Sequence, residues 1–191
     1  MNKQKVLALL SALCLTVAAV PIPEPAVQTA YAASAQAGEL TADLLKYTVT
    51  DGQVTISGTT GSIPETFVIP AEIDGMPVMA IGDKAFQKQK TLVSLTLPSV
   101  LTSIGYAAFE SCTELNAVTI PAGVTEIGIS AFSNCNKLAE INLNEGLKKI
   151  GTYAFYCAAE SELTLPSTLE SIGVQAFMSN RNLTSVSRMR S

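Results

Sequence analysis

The sequence predicts a repeat solenoid: a curved superhelix in which short parallel strands stack in register, joined by helical or 3-10 turns. Two periodic dipeptides carry that prediction. Ile-Gly recurs with its isoleucine at Ile81, Ile104, Ile127, Ile150 and Ile172, and Ala-Phe recurs with its ring at Phe86, Phe109, Phe132, Phe155 and Phe177. Both series step by 23, 23, 23 and 22 residues, so one unit is being repeated and not two coincidences. The third observation is a Leu-x-x-Val-x-Ile segment at the same period, as in Leu115, Val118 and Ile120. Its last part alternates with period two, which is the signature of a strand with one buried face.

The first element along the chain is an export leader over residues 1–32. Lys3 and Lys5 precede an apolar run from Val6 to Val20, too short to span a bilayer, and Ala30-Tyr31-Ala32 follows as a small-residue cleavage site. Ala35-Gln36-Ala37 is a second candidate for the cut. Cys14 follows Leu13 inside the apolar run, which argues against lipidation. Residues 33–44 read as a flexible spacer. Residues 45–66 read as an N-terminal cap and link: Lys46 to Thr50, then Asp51-Gly52, then Gln53 to Ser57 have the form of a β-hairpin with a type I′ turn. A stack needs such a lid, because its first apolar layer has no neighbour. The repeats fill residues 67–186, beginning at Phe67 and detouring once through a loop at Ile73 to Pro77. Residues 187–191 form a short tail.

Within each repeat the physics assigns roles. Pro98, Pro121 and Pro166 close strands, since proline donates nothing to a ladder; Asn144 substitutes once. The recurrent glycine marks either a positive φ or a close backbone approach. The Ala-Phe pair suits a tight helical turn packed on the strand layer. Cys112 and Cys135 share a column, with Cys157 one residue early in a shortened fourth repeat. Adjacent rungs lie about 4.8 Å apart, wider than the Cβ spacing a disulfide prefers, so the thiols are expected to be free. Glu160 stands where a leucine belongs, and the chain is expected to bulge there and turn Glu160 to water. Arg188 replaces a further apolar residue at the last strand.

The pattern resembles the BspA-like (Treponema pallidum type) leucine-rich repeats, with Leu-x-x-Ile-x-Ile-Pro, Ile-Gly, Ala-Phe and Cys in that order. Residues 119–141, TIPAGVTEIGISAFSNCNKLAEI, follow it nearly column for column, and the likeness runs from about Phe67 to Val186. The resemblance implies a leucine-rich-repeat solenoid, and an exported or surface-displayed protein that adheres to host or matrix proteins or to other cells. It says little about the ligand, because the matching residues are the buried ones.

Composition narrows the function. The chain has no histidine, which excludes Ser-His-Asp and Cys-His catalysis and the common zinc sites built on imidazole. Without residues 1–32 it keeps 10 basic and 15 acidic residues, unsuited to nucleic acid or anionic membranes. No cofactor or metal is expected, and no enzyme; the only catalytic route would be a carboxylate pair of Glu140 and Glu162, better read as solvated charges. The expected binding surface is the concave strand face: Ser94 and Thr96, Ala117 and Thr119, Glu140 and Asn142, Glu162 and Thr164, then Ser185 and Ser187. It is small, polar, mildly acidic and free of aromatics. That favours a protein ligand over the alternative, a glycan or cell-wall polymer, which commonly needs an aromatic platform. The tyrosines Tyr106, Tyr153 and Tyr156 fall off the sheet, around the turns.

Overall fold

The computed structural model describes residues 42–189, so the leader over 1–32 and most of the spacer over 33–44 lie outside the described residues. The first strands form a lid. β1 (Leu45–Thr50) and β2 (Gln53–Thr59) pair antiparallel, and Asp51 (φ 51) and Gly52 (φ 72) make the left-handed turn between them. β2 then pairs in parallel with β5 (Met76–Ile81), handing the edge of the hairpin to the repeats. The detour after β3 (Thr66–Val68) is itself a small hairpin: β4 (Glu72–Ile73) folds onto β5 through Asp74 (φ 52) and Gly75 (φ 73).

From there the chain climbs in rungs, each with two short strands. The Leu-x-x-Val-x-Ile segments supply β6 (Ser94–Thr96), β8 (Ala117–Thr119), β10 (Glu140–Asn142), β12 (Glu162–Leu165) and β14 (Ser185–Arg188). The Ile-Gly turns supply a second series that periodicity did not reveal: β7 (Ser103–Ile104), β9 (Glu126–Ile127), β11 (Lys149–Ile150) and β13 (Ser171–Ile172). These two-residue strands continue the sheet of the cap in the order β1-β2-β5-β7-β9-β11-β13. Ile81, Ile104, Ile127, Ile150 and Ile172 lie in register along it.

The expected helical turns are not formed: between Leu45 and Arg188 no residue is helical. The Ala-Phe segment is a non-helical turn framed by two left-handed residues, Lys84 and Lys88, Ala107 and Ser111, Ser130 and Asn134, Tyr153 and Cys157, Gln175 and Ser179. This conformation turns alternate N–H groups toward the next rung. Ala107, Phe109 and Ser111 donate to the carbonyls of Ile129, Ala131 and Ser133 at 2.9, 2.7 and 2.8 Å, and Ser130, Phe132 and Asn134 repeat the pattern one rung on. A helix would spend those donors within its own turn. None of these ten positions is glycine, and each left-handed residue is disfavoured by about 1–2 kcal/mol. The bonds between rungs offset that cost.

The repeated glycine has the other role open to it. Gly105, Gly128 and Gly151 have negative φ, but their backbones stack at close range. A Cβ on Gly128 would lie 2.5 Å from the Gly105 carbonyl carbon, and one on Gly151 would lie 2.7 Å from that of Gly128. The column therefore allows the rungs to reach hydrogen-bonding distance.

Side chains follow the backbone register. Phe86, Phe109, Phe132 and Phe155 are fully buried, and from Phe86 to Phe177 successive rings stack with centroids 5.1, 5.1, 5.3 and 5.4 Å apart. The last rung departs from the expected column. Phe177 is only partly buried, and Ile172, Val174, Met178 and Val186 are 46 to 71% exposed, because no described rung lies beyond them. Arg188 folds over this end and donates to the carbonyls of Ser167 and Leu169.

Phe132→Ala is expected to lower unfolding free energy by about 3–5 kcal/mol in urea titration, the cost of an unfilled buried aromatic site. Phe177→Ala should cost clearly less. Gly128→Ala should cost about 1–3 kcal/mol through overpacking, while Gly61→Ala, where a Cβ meets nothing within 4 Å, should stay within about 0.5 kcal/mol. Equal effects for the two glycines would contradict the close-stacking role.

Candidate functional site

The strand face is built by alternation. In β6 and β10 the middle residue points inward and the flanking two are exposed; β8 follows the same pattern with Ala117 half-buried. Ser94, Thr96, Ala117, Thr119, Glu140 and Asn142 thus share one surface, with Glu140 beside Ala117 and Asn142 beside Thr119. Glu162 and Thr164 flank buried Leu163 in β12 and pair with Ser185 and Ser187 of β14. Asn142 ties the surface together, donating to Glu140 Oε1 at 2.8 Å and to Thr119 Oγ1 at 3.4 Å. Thr164 and Ser187 share a hydroxyl bond of 3.2 Å.

The surface is not one sheet. β10-β8-β6-β3 form a four-stranded sheet and β12-β14 a separate pair, so Glu140 and Glu162 stand on opposite sides of a break. The second series of strands runs through unbroken from β11 to β13. The cause is the residue missing from the fourth repeat. Ala158 takes the buried place that Cys112 and Cys135 hold in earlier rungs, and the strand arrives one residue early.

Glu160 then falls in the leucine column and stays there. Its expected turn to water does not occur; it is 5% exposed, because a bulge that expelled it would also pull Leu163 out of register. Its Oε1 accepts the Glu162 N–H at 3.3 Å, and Oε2 is buried without a partner. Burial pushes the carboxyl pKa up. The N–H groups of Glu162, Ile141 and Ser161 pull the other way, and the negative charge of Glu140 adds to the rise.

The cysteines separate into two kinds. Cys112 and Cys135 are buried, and their thiols donate to the carbonyls of Phe86 and Phe109 at 3.1 and 3.2 Å. Desolvation pushes the Cys112 thiol up to about 12 and Cys135 further up. Cys157 is not in their column. It is a left-handed turn residue equivalent to Ser111 and Asn134, and is half-buried. All three are free thiols.

Charge is distributed unevenly. The ion pairs among the described residues are Lys137–Glu114, Lys149–Glu126 and Lys148–Glu170, each joining neighbouring rungs, and all lie off the strand face. Neither Glu140 nor Glu162 has a basic partner within 4 Å among the described residues. The tyrosines sit on the turns. Tyr106 is 45% exposed with Lys84 5.4 Å from its ring centre, and Tyr153 packs edge-on against Tyr156 at 5.7 Å. No group of three or more metal-ligating side chains occurs among the described residues.

A shallow face of small polar residues on a parallel-stranded solenoid defines a repeat-built binding scaffold. The chain belongs to the BspA type leucine rich repeat family, whose repeat region matches residues 79–191 in six copies. A Treponema pallidum leucine-rich-repeat protein of solved structure is 34% identical, with a TM-score of 0.73 over 76% of this chain and 69% of that one. A leucine-rich-repeat protein from Bacteroides ovatus is also 34% identical, with a TM-score of 0.71 over 76% of this chain; this chain spans 40% of its length. The pneumococcal vaccine antigen PcpA, 21% identical with a TM-score of 0.59 over 78% of this chain and 49% of that one, shares the fold. No curated protein matches. Repeats of this family are in general non-enzymatic binding modules.

Two outcomes follow. A carboxyl with a raised folded-state pKa contributes its stability in full below the unfolded-state value, about 4.3, and loses that contribution as pH rises through the folded-state value. Wild type is therefore expected to lose stability relative to Glu160→Gln between pH 4 and 8 in parallel urea titrations. A difference independent of pH would contradict the buried carboxyl. In the native protein an alkylating reagent should modify Cys157 well before Cys112 and Cys135, which should react only on unfolding; peptide mass mapping separates them.

Proposed function

We propose that this chain is an exported, non-enzymatic protein that binds another protein through its strand face, acting at the bacterial surface or in the medium. The observation that carries the reading is the pair of unpaired carboxylates, Glu140 and Glu162, on a surface otherwise made of Ser, Thr, Ala and Asn. Of the ten outward positions on this face the other eight are neutral, and Arg188 stands at the far end of β14, where it bonds to the Ser167 and Leu169 carbonyls. Such a face suits a broad, shallow contact with a surface rich in basic and hydrogen-bonding groups. Unpaired rim charges act chiefly on the rate of encounter, and that action weakens with salt. The partner proposed is a host or matrix protein.

Export rests on the leader-like composition of residues 1–32 and on the family resemblance. Among the described residues no helix is long and apolar enough to cross a membrane.

The test reverses the charges. Glu140→Lys with Glu162→Lys is compared with Tyr106→Ala and Tyr156→Ala, on a matrix protein that the wild type captures. The charge reversal should slow association about tenfold at low salt and flatten its salt dependence, while the tyrosine pair leaves both unchanged. Capture that ignores the charges and vanishes with the tyrosines would move the contact to the turns.

A further inference from the structure

The strand face loosens at one more place. β3 and β6 pair over three residues, as do β8 and β10, but β6 and β8 are in register only at Ser94 and Ala117. Beyond that pair the two strands form no further ladder pair. A groove of about 380 Å³ opens there, lined by Leu95, Thr96, Leu97, Thr119, Pro121 and Ala122 with Ser99 at its rim, and no charged side chain lines it. That volume is at the lower end of small-ligand pockets, roughly 300–1,000 Å³.

The interrupted ladder leaves backbone groups without the bonds their counterparts make. At the neighbouring steps the residue after one strand donates to the last residue of the next: Ile69 to the Thr96 carbonyl at 3.0 Å, and Ile120 to the Asn142 carbonyl at 2.9 Å. Among the described residues the equivalent bond, from the Leu97 N–H to the Thr119 carbonyl, is missing. The carbonyl side differs too. One rung on, Asn144 replaces proline and its side-chain amide donates to the Ile120 carbonyl. Leu97 is the counterpart of Ile120, and Pro121 is the counterpart of Asn144. Pro121 has neither an N–H nor a side-chain donor, so the Leu97 carbonyl lacks that bond. The protein thus fills the equivalent place in the next rung with an amide of its own.

We infer that this groove is an anchor site for one aliphatic residue of an extended peptide segment presented by a protein partner. The side chain lies over Leu95, Leu97 and Pro121. The peptide's backbone amides take up the Leu97 N–H and the Leu97 and Thr119 carbonyls. A peptide supplies a donor and an acceptor at the spacing of one residue, and the uncharged lining selects a neutral side chain. The inference rests on reading the strand face as protein-binding and adds to it the chemistry of one contact.

The probe is N-acetyl-leucine-N-methylamide, followed by amide NMR on the full chain, with N-acetyl-glycine-N-methylamide as control. Saturable shifts are expected at Leu97, Thr119 and Ala122, with a dissociation constant on the order of millimolar for so small a ligand. The glycine probe should bind at least about tenfold more weakly. Pro121→Asn, which installs the amide already tolerated at Asn144, should abolish the leucine shifts while leaving the fold intact. Linear shifts in wild type, equal response to the glycine probe, or undiminished binding to Pro121→Asn would each overturn the anchor. The probe carries no charge and needs no partner. Failure here alongside an intact charge effect at Glu140 and Glu162 would remove the anchor alone, and the reverse pair of results would remove the steering alone.

Discussion

Backbone hydrogen bonds directed from each rung to the next govern this structure. Along the turns every second N–H points at a carbonyl one rung away, from Lys84 to Tyr106 through Cys157 to Met178. The glycines bond in the opposite direction: Gly105, Gly128 and Gly151 donate to Ile81, Ile104 and Ile127 of the preceding rung at 2.8, 2.9 and 2.9 Å. This fixes the rise, and the rise dictates the rest. Phenylalanines 23 residues apart must stack at ring-contact distance, and glycine is required where backbones cross. Left-handed residues are tolerated in pairs because they aim the donors. Burial of the apolar columns supplies the driving force, but the ladder sets which atoms meet.

Much of this was legible in the sequence, because a residue that must meet its own equivalent leaves a periodic mark. The Ile-Gly and Ala-Phe columns gave the rung length and the solenoid, and Asp51-Gly52 gave the turn of the capping hairpin. The second series of strands was not legible. A strand of two residues such as Ser103–Ile104 is too short for an alternation to show. The left-handed positions were hidden for another reason. Lys84, Ala107, Ser130, Tyr153 and Gln175 share a conformation and no chemistry, since the ladder selects their backbone and leaves their side chains to solvent or local packing. Helical turns were the natural reading of Ala-Phe for a wholly locally bonded segment, and in this one every second amide bonds across rungs.

The strand-face positions were also readable from alternation, yet the integrity of that face was not. A single missing residue between Ala158 and Glu160 splits it after β10 while β11 and β13 remain paired. Column logic places Glu160 correctly but expels a carboxylate from an apolar layer. The structure keeps it, with one oxygen bonded to the Glu162 N–H and Leu163 held in its buried column. The looser step between β6 and β8 has no insertion or deletion behind it. Its trace in the sequence is the contrast between Pro121 and Asn144, visible only once the ladder defines what each must bond. Both irregularities lie on the face proposed to bind, and the regular turns lie away from it.

The most direct test of the ladder is native-state hydrogen exchange at the turn amides. Ala107, Phe109 and Ser111, with Ser130, Phe132 and Asn134, belong to no helix and to no regular strand. If their donors bond across rungs, they should exchange as slowly as the strand amide of Val118, and the alternate amide of Ala108, which has no such bond, should exchange faster. Uniformly fast exchange along these turns, at the rate of an exposed loop, would contradict the account.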